Sequence, residues 1–181
     1  MSKICVLLAN GFEEIEAVTI LDVLRRAGED AQMVGVDSQD VLGSHNIRLH
    51  TDLGIQAAKD QRWDLIVLPG GMPGAATLRD HPDVQMLLKQ QHQQGGRLAA
   101  ICAAPMALAK AGLLQGKRAT CFPGFEDKLM GAKFEERDVV EDGLITTSRG
   151  PATAIAFALS LVEQLQGATS VAKLRRQLLV P

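Results

Sequence analysis

No stretch of this 181-residue chain is apolar for long enough to cross a bilayer. Uncharged runs such as Leu98–Ala109 and Gly150–Val162, 12 and 13 residues, fall short of the roughly 20 that a spanning helix needs. No excess of either charge is present: 19 basic against 21 acidic side chains leave a formal charge of −2. Without a basic surface for phosphates, sequence-specific nucleic acid binding is not expected. The cluster Lys173, Arg175 and Arg176 reads as a solvated helix face. Cysteine is scarce. Cys5, Cys102 and Cys121 are odd in number and form no CxxC, which argues against a zinc knuckle or a disulfide framework and for a reducing, cytoplasmic setting. Neither GxGxxG nor GxxxxGK[ST] occurs, so dinucleotides and nucleoside triphosphates are discounted. The N-terminal apolar run from Ile4 to Phe12 meets Glu13 and Glu14 with no small-residue cleavage site, and it reads as a core strand rather than a leader. There is no repeat, low-complexity tract or linker, so residues 1–181 are expected to form one domain.

What is present is a globular balance, 46% hydrophobic and 22% charged, in which strand-length apolar runs alternate with helical patterns. Ile4–Ala9 reads as a buried strand. Ile15, Val18, Leu21 and Leu24 then recur at helical spacing, stopped by Gly28. Ala31–Asp37, one or two short strands within Val41–His50, and Asp64–Pro69 follow. A helix is expected over Pro82–Gln94, a strand over Arg97–Ile101, and a helix over Ala103–Ala111 with Pro105 in its first turn. Arg118–Cys121 is a short strand, and Asp138–Glu141 and Leu144–Thr147 flank a two-residue hairpin signal, Asp142-Gly143. Pro151–Leu165 and Ala168–Leu178 close the chain as helices. The alternation predicts an α/β three-layer sandwich, a mostly parallel sheet with helices on both faces.

In open α/β sheets ligands bind beyond the carboxyl ends of the strands. Four strands here end in unusual sequence: Asn10–Glu16, Pro69–Gly74, Cys102–Pro105 and Ser148–Pro151. Cys102 stands at a strand-to-helix turn, as in a nucleophile elbow. A helix N-terminus behind it would favour the thiolate, so its pKa is expected below the usual value of about 8.5. Cys5 and Cys121 read as core. Glu16 lies on the edge of the apolar helical face. Buried beside Cys102 it would have to hold a proton and could donate it to the thiolate. Glu13 and Glu14 read as solvated groups at a helix start. Gly70-Gly71 is either a plain tight turn or a source of N–H groups for an oxyanion. No histidine adjoins Cys102. His81 and His92 read as surface groups, whereas His45 and His50 flank a short strand and could approach a site.

Taken together, LANGFEEIEAV at 8–18, VLRRAG at 23–28, DLIVLPGGMPGA at 64–75, AAICAAP at 99–105 and DGLITTSRGPATAIAFAL at 142–159 resemble the DJ-one/ThiJ/PfpI superfamily along the whole chain, in the branch of the parkinsonism-associated deglycase and its YajL-like bacterial relatives. The resemblance implies a flavodoxin-like sandwich and a homodimer. It implies Cys102 as nucleophile, Glu16 as its hydrogen-bonding carboxyl, and the N–H groups of Gly71 and Ala103 as an oxyanion site. Gly70, Phe122, Arg149 and His45 are further candidates for lining that site. Phe122 stands where some close members carry a histidine, and Ala103 stands where protease-like members do. The implied activity is on methylglyoxal or glyoxal, or on their adducts with proteins and nucleotides, with neither metal nor organic cofactor. A redox-sensing stress chaperone that uses oxidation of Cys102 is the alternative; a protease or a ligand-binding module ranks below both.

Overall fold

In a computed structural model, which describes residues 1–180, the apolar runs become strands β1 (Lys3–Leu8), β2 (Asp30–Gly35), β3 (Asp40–Leu42), β4 (Arg48–His50), β5 (Leu53–Gly54), β6 (Leu65–Leu68), β7 (Arg97–Ile101), β8 (Arg118–Ala119), β9 (Lys133–Phe134), β10 (Val139–Asp142) and β11 (Ile145–Ser148). The helices are α1 (Glu14–Arg26), α2 (Ile55–Lys59), α3 (Gly74–Asp80), α4 (Pro82–Gln93), α5 (Pro105–Lys110), α6 (Ala154–Gln166) and α7 (Ala168–Leu178). A seven-stranded sheet runs β10-β11-β7-β6-β1-β2-β5, parallel except for the β10–β11 hairpin. Its parallel strands from β2 to β11 read 2-1-3-4-5 when counted in chain order without the short edge strand, the doubly wound flavodoxin-like order.

Side-chain alternation builds two cores. Ile4, Val6 and Leu8 of β1 face one layer with Leu65, Val67, Ala99 and Ile101, covered by α1, α6 and α7. Cys5 and Leu7 face the other layer with Ile66, Leu68, Leu98 and Ala100, covered by α2 to α5. Cys102 packs against both layers, at the seam where the strand ends.

Several boundaries differ from the sequence reading. α2, α3 and β5 were not expected, because a five-residue helix and a Gly-rich helix start carry too little periodicity to register. The hairpin turn sits one residue later than its signal: Asp142 pairs with Ile145, and Gly143 takes φ 65°. α1 keeps only half of the stripe read: Leu21 and Leu24 face the core as expected, but Ile15 (58% exposed) and Val18 (45%) point outward, and Ala17, Ile20 and Val23 are buried instead.

Candidate active site

The sheet topology puts the carboxyl ends of β1, β6, β7 and β11 along one edge, as the four unusual strand ends require. The order reverses between β1 and β6, where the crossovers leave to opposite faces and open a crevice. Glu16 enters this crevice from α1, Gly70 and Gly71 from the end of β6, and Cys102 from the end of β7.

Cys102 has φ 64°, one of three positive values outside glycine among the described residues. The left-handed turn is held from both sides: the Cys102 N–H donates to the Ser148 carbonyl (2.9 Å), and the Phe122 N–H donates to the Cys102 carbonyl (2.9 Å). A strained conformation so pinned is a mark of functional sites. The thiol is partly exposed, whereas Cys5 and Cys121 are fully buried, as read from sequence.

Glu16 is fully buried. Its Oε2 accepts from the Gly70 N–H at 2.7 Å, and its Oε1 has no hydrogen-bond partner. Gly70 is a steric necessity: a Cβ there would lie 2.5 Å from Cys102 Cβ, 2.8 Å from Glu16 Oε2 and 3.0 Å from Cys102 Sγ. Gly71, at φ 87°, has no more room, since its Cβ would meet the Glu13 nitrogen at 2.4 Å. Its N–H and that of Ala103 reach the Cys102 sulfur and favour its anion.

The electrostatics correct one expectation. Burial, and next the Glu16 charge, push the Cys102 thiol up to about 12 against the help of the Gly71 and Ala103 N–H groups. The depressed thiol expected from a helix N-terminus fails for a structural reason. α5 has six residues and starts three residues beyond Cys102, so its dipole is short and displaced. Burial also pushes Glu16 up to about 7, with Glu13 adding to the rise and the Gly70 N–H and Cys102 opposing it. Glu16 holding its proton removes the charge that opposes the thiolate. Each group thus opposes ionisation of the other, and the pair carries at most one negative charge near neutral pH.

Glu13 and Glu14 are not the solvated groups the sequence suggested: they are 8% and 6% exposed. Glu13 is the N-cap of α1, its Oε2 accepting from the Glu16 N–H at 2.7 Å. Glu14 accepts from the His45 N–H (2.6 Å) and pairs with His45 Nδ1 (2.8 Å). Burial alone would raise Glu14, but these bonds and one from the Ile47 N–H hold it at about 2. His45 is thus brought to the acidic start of α1, 3.9 Å from Glu13 Oε1, and its ring is spent on Glu14. His50 pairs with Asp40, and His81 caps α4 from a half-buried position, as His92 is also half-buried. Among the described residues no histidine hydrogen-bonds Cys102 or Glu16. Phe122 is 42% exposed and lies over Gly150. With Arg149 it lines a groove of about 300 Å³ flanking the elbow, although the guanidinium is turned to Glu136 at 3.2 Å. The cap was the signal that sequence reasoning passed over: Glu13 and Glu16 stand at the N-cap and N3 spacing of a helix start.

A profile described as DJ-1/PfpI family matches residues 2–164. The chain belongs to the DJ-1/PfpI family. It is 43% identical over 168 residues to Protein DJ-1 homolog B of Arabidopsis thaliana, covering 91% of this chain but 38% of that protein, so it spans about two fifths of the plant relative. It is 39% identical to the Parkinson disease protein 7 homolog of Danio rerio, covering 97% of this chain and 95% of that one. It is 37% identical to the glutathione-independent glyoxalase DJR-1.2 of Caenorhabditis elegans, covering 86% and 83%. The solved structure of oxidized Toxoplasma gondii DJ-1 superposes with a TM-score of 0.95 at 40% identity, covering 99% of this chain and 98% of that one. The DJ-1/PfpI chain thus has the flavodoxin-like fold of its solved relatives, and no helix among the described residues is long and apolar enough to cross a membrane.

Proposed function

We propose that the protein is a cysteine-dependent enzyme that converts α-oxoaldehydes such as methylglyoxal and glyoxal, or the adducts they form on proteins and nucleotides, in the manner of a glutathione-independent glyoxalase or deglycase. One observation carries this reading: a fully buried carboxyl, held toward its protonated form by that burial, stands against the sulfur of Cys102, with two backbone N–H groups directed at the same atom. The Caenorhabditis elegans relative named for a glyoxalase activity supports it.

The chemistry follows from that pair. The Cys102 thiolate adds to the aldehyde carbon, and the carbonyl electron pair becomes an oxyanion held by the Gly71 and Ala103 N–H groups. Glu16 gives its proton to that oxygen, and its carboxylate then removes the C–H proton of the hemithioacetal. Returned to the neighbouring carbonyl carbon, that proton leaves a 2-hydroxy thioester. Water releases the hydroxy acid and restores the thiolate, so the sum is aldehyde plus water giving hydroxy acid. With Phe122 beside the elbow and His45 engaged by Glu14, Glu16 is the only proton carrier in this scheme. No cofactor enters it, and we place the reaction in the cytoplasm, in a homodimer.

Methylglyoxal consumption by the purified protein, set against a buffer blank and Cys102→Ser, tests the proposal. The variant is expected to lose roughly 100-fold or more of the blank-corrected rate. Equal rates for wild type, variant and blank would overturn it.

A second reading, a redox-sensing stress chaperone switched at Cys102, draws on the exposure of this thiol alone among three. A sulfinate there could accept the Ala103 N–H and the Glu16 proton.

A further inference from the structure

Three carboxylates within four residues, all buried, begin α1. Their environments differ. Glu14 is answered by the His45 ring and by loop N–H groups. Glu16 is met by the Gly70 N–H and the Cys102 thiol and has one orphaned oxygen. Glu13 occupies the N-cap, where short side chains such as Ser, Thr, Asp and Asn are the usual choice. Its longer side chain still reaches the Glu16 N–H at 2.7 Å, and its own N–H donates to the Gly70 carbonyl at 2.9 Å. The Gly70 N–H in turn donates to Glu16 at 2.7 Å. Glu13, Glu16 and Gly70 form a closed ring of hydrogen bonds that fixes the start of α1 against the end of β6, and Cys102 lies against both Gly70 and Glu16.

We propose that Glu13 is a positioning residue for the Cys102–Glu16 pair: its carboxylate aims Glu16 at the sulfur, and its negative charge disfavours the Glu16 carboxylate and so biases the pair's one charge toward the sulfur. The inference deepens the proposed function by naming what sets the charge distribution at that site. The groups facing Glu16 are Cys102 from the turn after β7, the Gly70 N–H from the turn after β6, and Glu13 from its own helix start. Those facing Glu13 are Glu14 beside it and His45 from the β3–β4 hairpin, whose ring is 2.8 Å from Glu14 and 3.9 Å from Glu13. His45 therefore neutralises Glu14 first, and the Glu13 charge is left to act on Glu16. An anion near Glu16 but beyond the sulfur penalises the carboxylate more than the thiolate, because Coulomb repulsion falls with distance.

Glu13→Gln separates charge from cap, since the amide oxygen still accepts from the Glu16 N–H. Two readouts are needed, neither using an aldehyde: carboxyl titration by NMR of protein labelled at glutamate, and the pH profile of Cys102 alkylation by iodoacetamide. Glu13→Gln is expected to lower the Glu16 midpoint by roughly one pH unit, the order expected when one like charge leaves a partly buried site. It should also reduce alkylation near pH 7 about tenfold, because the charge moves from sulfur to Glu16. Glu13→Asp, with charge and cap retained, should behave as wild type. Glu13→Ala must show the same fall in midpoint, and it carries the test should the amide variant fail to fold. A Glu16 midpoint and alkylation profile unchanged in Glu13→Gln, or in Glu13→Ala, would overturn the inference. If the two readouts move as expected while methylglyoxal is left untouched, the proposed function fails and the role of Glu13 stands.

Discussion

The two edges of the central sheet are built to different rules. At the amino edge polar groups find partners: the Lys3 N–H donates to Asp64, the Asp64 N–H to the Lys3 carbonyl, and Gln91 bonds the carbonyls of Trp63 and Arg97. The Trp63 indole donates to the Ala58 carbonyl, and the Lys3 ammonium lies over its ring. At the carboxyl edge three acids are buried together, Glu16 Oε1 is orphaned, and Cys102 is held at a positive φ. One sheet carries both, so the conflict at the carboxyl edge is not a failure of packing. Local rules are broken where chemistry needs a group whose charge is undecided, and the satisfied remainder of the fold holds the broken part in place.

The same edit at each edge should expose the difference most strongly. Gly70→Ala drives a methyl into Cys102 and Glu16 and is expected to cost about 3 kcal/mol in urea unfolding, with loss of Cys102 alkylation. Gly95→Ala, at φ +73° in open space near the amino edge, should cost only about 1 kcal/mol and leave alkylation alone. Equal costs would erase the contrast.

The buried acid should next show in stability against pH. Glu16 binds its proton more tightly folded than unfolded, with a midpoint of about 7 against an ordinary 4.5. The unfolded chain releases that proton first, so the contribution is fully present below pH 4.5 and fades up to pH 7. Roughly 3 kcal/mol is lost across that window. Glu16→Gln should flatten this part of the stability curve and leave the variant more stable than wild type at pH 8. The exposed His45 ring, held above its ordinary value by Glu14, acts in the same direction and is present in both proteins, so their difference isolates Glu16. A wild-type curve that rises from pH 5 to 7 relative to the variant would contradict the assignment.

Peroxide should discriminate among thiols that differ only in place. Burial pushes all three thiols up, but Cys5 and Cys121 are fully buried and only Cys102 is open to the oxidant. Cys102 should gain two oxygens at least about tenfold faster than either, by peptide mass spectrometry. A Cys102–Cys121 disulfide, or equal oxidation of all three, would sink the distinction.

The smallest effect on the fold itself concerns the outer face of α1. Ile15 and Val18 are exposed apolar groups, and we expect them at the centre of a two-fold interface burying about 1,200–2,000 Å². Light scattering should give about twice the 19.4 kDa chain mass for wild type. The double variant Ile15→Asp, Val18→Asp should scatter as one chain, with monomer stability altered by less than about 0.5 kcal/mol. A wild-type protein at 19.4 kDa would remove the dimer.

Much of the fold was legible because long apolar runs have few ways to be satisfied. Arg97–Ile101 and Ala168–Leu178 match their expected bounds residue for residue. The convergence of four strand ends also followed from sequence, and Glu16, Gly71 and Ala103 were grouped with Cys102 by the resemblance. The inner face of the first turns of α1 did not follow from sequence. Ile15 and Val18 fit a helical stripe as well as Ala17 and Ile20 do, and a period alone does not say which stripe meets the sheet. Glu13 and Glu14 failed for a related reason: acidic residues at a helix start normally favour solvent, and only the β3–β4 hairpin folded over them makes them interior.

By itself the sequence determined the order of strands and helices, the parallel sheet and the side-chain types at its carboxyl edge, because these depend on local periodicity and on the chirality of crossovers. The tertiary structure alone decided how those side chains are charged. Whether Cys102 is aided by a helix or opposed by burial, whether His45 serves the sulfur or is claimed by Glu14, and whether Glu16 keeps a proton all depend on distance and desolvation. Residues 13, 16, 45, 70 and 102 have no fixed separation until the chain is folded, and electrostatic energy in a buried site changes steeply over the few ångströms that folding sets.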